Sequence, residues 1–164
     1  MKGIAKRKKI YVTSGTGEGL TDISALDAAL MKAGIANYNL IYLSSVIPEG
    51  SRIEIKKLKP KKAEYGKKLY VVIARRDQDT SGEEAWAGLG WSQDRIGRGL
   101  FVEHKSESKE VVIRLIRNSL KDMKKLRSYK YGRINYSVIG IKCKNKPVCA
   151  VVAAIYQSED FAQV

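Results

Sequence analysis

The sequence predicts an α+β protein whose helices pack on the outer faces of β-sheets. Three observations carry this reading. Residues 22–34 and 106–127 have helical periodicity, and Leu69–Arg75 (LYVVIAR) is a continuous apolar run of the buried-strand kind. The rest of the chain is divided into short strand-like runs separated by Gly, Pro, Ser and Asn.

Taken in order, residues 8–13 (KKIYVT) read as a first strand and SGTGEG (14–19) as a loop. The helix over 22–34 has Thr21 or Asp22 as its N-cap and Gly34 as its C-terminal stop. Ile23, Leu26, Asp27 and Leu30 fall at i, i+3, i+4 and i+7, which places Asp27 in the apolar stripe, where an unpaired carboxylate is costly. A short strand follows at Asn39–Leu43, and Arg52–Ile55 is an expected edge strand. Leu69–Arg75 is a buried strand, Gly82–Gly90 fits either a short helix or a strand, and Gly99–Glu103 fits a strand. The long helix over 106–127 is expected to turn Val112, Leu115, Ile116, Met123 and Leu126 inward and its Lys and Arg outward. Arg133–Lys142 and Pro147–Tyr156 read as a hairpin about Lys144-Asn145-Lys146.

Composition narrows the function classes. The chain has 164 residues, 44% of them hydrophobic, with 14 Gly and 3 Pro, which suits one domain over 1–164 with a real core. No apolar run approaches the roughly 20 residues of a membrane-spanning helix, and no apolar segment follows the charged MKGIAKRKKI start. Two cysteines make no disulfide scaffold, and with no secretory signal they point to a reducing cytoplasm. Thirty-one Lys and Arg against 17 Asp and Glu give a net charge of +14, which can serve nucleic-acid binding or simply solvate the surface. The basic runs, Lys6–Lys9, Lys56–Lys62 and Lys121–Lys130, are not interleaved with base-stacking aromatics, so a nucleic-acid partner is not expected.

The motifs leave few chemistries open. Gly15-x-Gly17-x-Gly19 departs from the dinucleotide fingerprint and lacks the Gly-Lys-Ser/Thr of a phosphate loop, so a tight turn into the helix explains it. His104 is the only histidine, so Cys143 and Cys149 cannot complete a four-ligand zinc site with it, and no metal is expected. No Gly-x-Ser-x-Gly elbow is present. Glu103 ends the apolar run Leu100-Phe101-Val102 and alternates with His104, so the two point to opposite faces. It is either a strand-end acid in water or a buried acid with a raised pKa, suited to proton donation. Ser44-Ser45 lies between an apolar strand and Val46-Ile47-Pro48. A serine in such a setting can attack the preceding carbonyl, cut the chain by an N-to-O shift and β-elimination, and leave a pyruvoyl group. That ketone condenses with a substrate amine as a Schiff base and acts as an electron sink without PLP.

These residues resemble the pyruvoyl-dependent arginine decarboxylases. The likeness lies in SGTGEG with the helix ALDAALMKAGIANYNL, in IYLSSVIP, in Gly82-Glu83, in GLFVEHKS and in the ending CAVVAAIY, over roughly residues 10–156. The resemblance implies a four-layer αββα sandwich, assembled as a homotrimer or a dimer of trimers with active sites between subunits. It implies cleavage between Ser44 and Ser45, giving a β chain of residues 1–44 and an α chain of 45–164, with Ser45 becoming the covalent pyruvoyl group. Asn39 would assist processing, Asp27 would hold the substrate guanidinium, Val46 would line the pocket and Glu103 would be the proton donor. The implied reaction is L-arginine to agmatine and carbon dioxide, in polyamine synthesis or arginine catabolism. A net charge of +14 repels cationic arginine unless the pocket is locally acidic, and Asp27, Glu18 and Glu103 are the acids available. The same chemistry on another basic amino acid, a relative that no longer cleaves, and a non-enzymatic nucleic-acid module are the competing readings.

Overall fold

The computed structural model describes residues 8–162. Of the basic run at the N-terminus, Lys6 and Arg7 lie outside the described residues. Among the described residues nine strands and two α-helices follow one another as β1 (Lys8–Glu18), α1 (Asp22–Ala33), β2 (Asn39–Tyr42), β3 (Val46–Ile47), β4 (Ser51–Ile55), β5 (Lys68–Gln78), β6 (Glu84–Gln93), β7 (Gly99–Ser106), α2 (Lys109–Lys125), β8 (Asn135–Lys142) and β9 (Val148–Glu159). One sheet has the order β2-β5-β9-β1-β4 and the other β3-β7-β6-β8.

The sheets face each other across a core of Val12, Val72, Ala74, Leu89, Phe101, Val152 and their neighbours. A second cluster, built on Ala25, Ala29, Ala33, Val71 and Val151, lies between α1 and the five-stranded sheet. A third, Leu100, Val102, Val112, Ile116 and Leu120, lies between α2 and the four-stranded sheet. The layers therefore run helix, sheet, sheet, helix, as the resemblance implied.

The helix over 22–33 has the expected ends. Thr21 caps it by accepting from the Ser24 amide, and Gly34 closes it at φ 80°, a conformation glycine adopts at little cost. Its inward face differs from the expectation. The buried residues are Ala25, Ala29 and Ala33, whereas Ile23 is 77% exposed and Asp27 is on the solvent side. The reason lies in SGTGEG, which continues β1 rather than forming a loop. A Cβ on Gly15 would sit 2.1 Å from the Ala29 carbonyl oxygen, and one on Gly17 2.3 Å from the Ala29 nitrogen. The glycines let the helix lie against the strand, and only alanines fit between.

Three further expectations change. Of Gly82–Gly90, the residues from Glu84 onward belong to β6, a strand and not a helix. The C-terminal pair is not a hairpin: β8 joins β6 in one sheet, and β9 lies between β5 and β1 in the other. The polar turn between them carries the chain from one sheet to the next. In α2 the inward line is Val112, Ile116 and Leu120; Met123 is partly buried against it, Leu115 is half-buried, and Leu126 is 82% exposed just past the helix end. The expected edge strand is β4, paired parallel to β1.

Candidate active site

The segment after β2 crosses from one sheet to the other. Leu43 still donates its amide to the Val71 carbonyl in the first sheet, at 2.8 Å, and by Val46 the chain pairs with Leu100 of β7 in the second. Ser44 and Ser45 occupy the crossing. Ser44 is exposed and Ser45 half-buried. The Ser45 carbonyl accepts from the Phe101 amide at 2.8 Å, which extends the β3–β7 ladder by one residue. The Ser45 hydroxyl donates to Glu103 Oε2 at 3.1 Å. Two residues 58 positions apart in the chain are thus joined at one spot, because β7 runs antiparallel to β3 and its alternate residues, Phe101 and Glu103, share a face.

Glu103 is exposed, as in the first of the two outcomes read from sequence, but it lies within β7, which runs on to Ser106 rather than ending at Glu103. His104 points the other way: its Nε2 lies 2.8 Å from Ser119 Oγ on α2, and burial holds its pKa below the usual histidine value. Glu103 also borders a cavity of about 440 Å³, lined by Tyr42, Ile73, Ala74, Arg75, His104 and Lys105 as well. The cavity opens where β2 ends against Val71 and β3 against Leu100, so the edges of β5 and β7 beyond those points carry no further strand partner among the described residues. Arg75 pairs there with Asp77 at 2.9 Å.

Asn39 and Asp27, also expected at the site, lie apart from this spot. Asn39 begins β2, roughly 10 Å along the strand from Tyr42, and its Nδ2 donates to the Gly66 carbonyl at 2.8 Å. Asp27 is on the exposed side of α1 and does not line the cavity within one chain. Val46 is 61% exposed beside Ser45. Cys143 and Cys149 are free thiols in different layers, one between the sheets and one under α1, and burial pushes the Cys149 thiol up to about 12. Among the described residues no cluster of three metal-ligating side chains occurs, and no helix is long and apolar enough to cross a membrane.

One contributor escaped the sequence reading. The Tyr156 hydroxyl donates to the Val46 carbonyl at 2.9 Å, from the sheet opposite. Its only signal in the sequence is its place, as the polar-tipped residue that ends the small apolar run CAVVAAI.

A serine hydroxyl held on a carboxylate that borders a cavity, one peptide downstream of another serine, suits the site of a carboxy-lyase. Comparison with known proteins agrees. The family model described as pyruvoyl-dependent arginine decarboxylase matches residues 9–161. A pyruvoyl-dependent arginine decarboxylase of Pyrococcus abyssi is 35% identical over 151 residues, covering 90% of this chain and 94% of its own. One of Thermococcus sibiricus is 34% identical with the same coverage. A pyruvoyl-dependent arginine decarboxylase 2 of Archaeoglobus fulgidus is 26% identical, covering 91% of this chain and 96% of its own. The chain belongs to the pyruvoyl-dependent arginine decarboxylase family.

Proposed function

We propose that this chain cuts itself between Ser44 and Ser45 and then decarboxylates L-arginine to agmatine and carbon dioxide. The observation that carries the reading is the 3.1 Å contact of the Ser45 hydroxyl with Glu103, inside the segment shared with the family. The products of the cut are a β chain of residues 1–44 and an α chain of 45–164.

The residues present suit the formation of the pyruvoyl group. Ser45 Oγ adds to the Ser44 carbonyl carbon while Glu103 accepts its hydrogen bond, and the Ser44–Ser45 C–N bond breaks to leave an ester and a free amine. Loss of the Ser45 α-proton expels the Ser44 carboxylate by β-elimination. Water then replaces the amine nitrogen, which leaves as ammonia. Asn39 assists this processing. Once formed, the ketone supplies a carbonyl that condenses with the substrate amine and draws in the electron pair of the breaking C–C bond, with no need of PLP or a metal.

The protein groups then have separate tasks. Glu103 returns a proton to the α-carbon after carbon dioxide departs. Asp27 matches the planar guanidinium with two parallel hydrogen bonds. Because Asp27 does not line the cavity of its own chain, it acts at a neighbour's site. The unpaired edges of β5 and β7 beside the cavity support such a neighbour, since free strand edges are ordinarily covered. The assembly is a homotrimer or a dimer of trimers, working in the cytoplasm, with no membrane or nucleic-acid partner. Val46 lines the pocket.

Denaturing electrophoresis and mass spectrometry of the purified protein test the reading. Two fragments with a pyruvoyl terminus at residue 45 are expected, one intact chain for Ser45→Ala, and agmatine from arginine only with the cut protein. An intact wild-type chain would refute it, and turnover of a different amino acid in place of arginine would refute the substrate.

A further inference from the structure

We infer that Tyr156 is a positioning residue whose hydroxyl, reaching across from the opposite sheet, holds the Val46 carbonyl and fixes the residue-45 end before and after the cut. The inference rests on the self-processing decarboxylase reading above.

The segment it holds is weakly anchored otherwise. β3 is two residues long and lies at the edge of its sheet, paired only with β7. Polar groups of successive strand residues point to alternate sides. The Ser45 carbonyl points at β7 and meets the Phe101 amide, so the Val46 carbonyl points away from β7. An edge carbonyl there would have only water. The Tyr156 hydroxyl takes that place at 2.9 Å, linking residues 110 positions apart. While the chain is continuous, Leu43 ties the upstream side of the crossing to β5. Scission removes that tie. What then holds the residue-45 end is the Phe101 amide, the short ladder and Tyr156.

The phenol is itself held in place. β9 is buried from Val148 to Ile155, and Tyr156 is its first residue to leave the core. Its ring lies edge-on to Phe101, with centroids 6.3 Å apart, and Phe101 in turn packs on Trp91 at 6.1 Å. Phe101 therefore carries both the amide that binds Ser45 and the ring that seats Tyr156. Burial first, and the nearby Glu103 charge second, raise the Tyr156 pKa, so the hydroxyl stays a donor throughout the physiological range.

The test compares Tyr156→Phe, which keeps the ring, with Tyr156→Leu, which loses ring and hydroxyl. Cleavage is followed on denaturing gels after cell-free synthesis, and turnover is measured on fully cut protein. For Tyr156→Phe, cleavage is expected to slow roughly 5- to 10-fold, the usual worth of one hydrogen bond. Its kcat should fall by a similar factor with KM for arginine little changed, at a melting temperature within about 4 °C of wild type. Wild-type cleavage and kcat in Tyr156→Phe, with only Tyr156→Leu impaired, would reduce the residue to packing and overturn the inference. So would a loss of rate that tracks the loss of melting temperature across both variants. An uncut wild-type chain would instead strike the decarboxylase reading, so the two failures are distinct.

Discussion

Gly17→Ala tests whether the glycines of β1 are there for the helix or for a turn. The added Cβ would lie 2.3 Å from the Ala29 nitrogen, 2.4 Å from the Ala25 carbonyl oxygen and 2.7 Å from the Ala28 Cβ. Two of these three are backbone atoms of α1, so no side-chain rotation relieves the clash. Ordinary contact requires the helix to withdraw by roughly 1 Å, which loosens Ala25, Ala29 and Ala33 together. Overpacking of this kind costs about 1–3 kcal/mol, or about 2–12 °C in melting temperature for a chain of this size. Calorimetry or circular dichroism at matched protein concentration measures it. Gly66→Ala is the control, because its Cβ meets nothing within 4 Å and its φ of +83° brings only a conformational cost, about 1–2 kcal/mol. A melting temperature for Gly17→Ala equal to wild type would refute the close-packing argument and restore the loop reading of SGTGEG.

Asp27→Asn should leave cleavage intact and raise KM for arginine about tenfold or more, from loss of a charge-assisted pair; an unchanged KM would make Asp27 merely a surface residue of α1. Stability should fall as pH drops below about 6.5, because His104 is held neutral by burial in the folded chain while the unfolded chain takes up the proton. Melting temperatures of wild type and His104→Gln across this window check it, the decline being shallower in the variant; parallel curves would sink the idea. With a net charge of +14 the protein repels cationic arginine, so KM for arginine should fall as ionic strength rises. Steady-state kinetics at low and high salt decide, and a KM that rises with salt would show that the field at the pocket is locally negative.

The parts of the fold legible in the sequence were those with local causes. Thr21 and Gly34 bounded α1 correctly because capping and left-handed backbone are decided within a turn. The apolar run at Leu69–Arg75 lies within β5 because burial on both faces leaves its mark on every residue. Pairing between distant segments was not legible. Val148–Ile155 is buried throughout, the mark of a central strand, yet the nearby turn suggested a hairpin with β8. Glycine was ambiguous for a related reason: a missing side chain serves a turn and a helix contact equally, and only the neighbour decides. Ser45 and Glu103 were named from their segments, and strand alternation in β7 brings their side chains into contact. Tyr156 could not be found this way, because its partner lies on another sheet.

The order β2-β5-β9-β1-β4 bears on what a break between Ser44 and Ser45 would do to the molecule. Upstream of it stand β1, α1 and β2; downstream stand β4, β5 and β9. β1 is clasped on both flanks by downstream strands, and β2 is fastened to β5. The two fragments would be woven through one another like fingers of folded hands, so neither could leave without unravelling the larger sheet. A severed backbone would cost the protein almost no cohesion, and the freed end at residue 45 could be given over to chemistry while the body around it stayed whole.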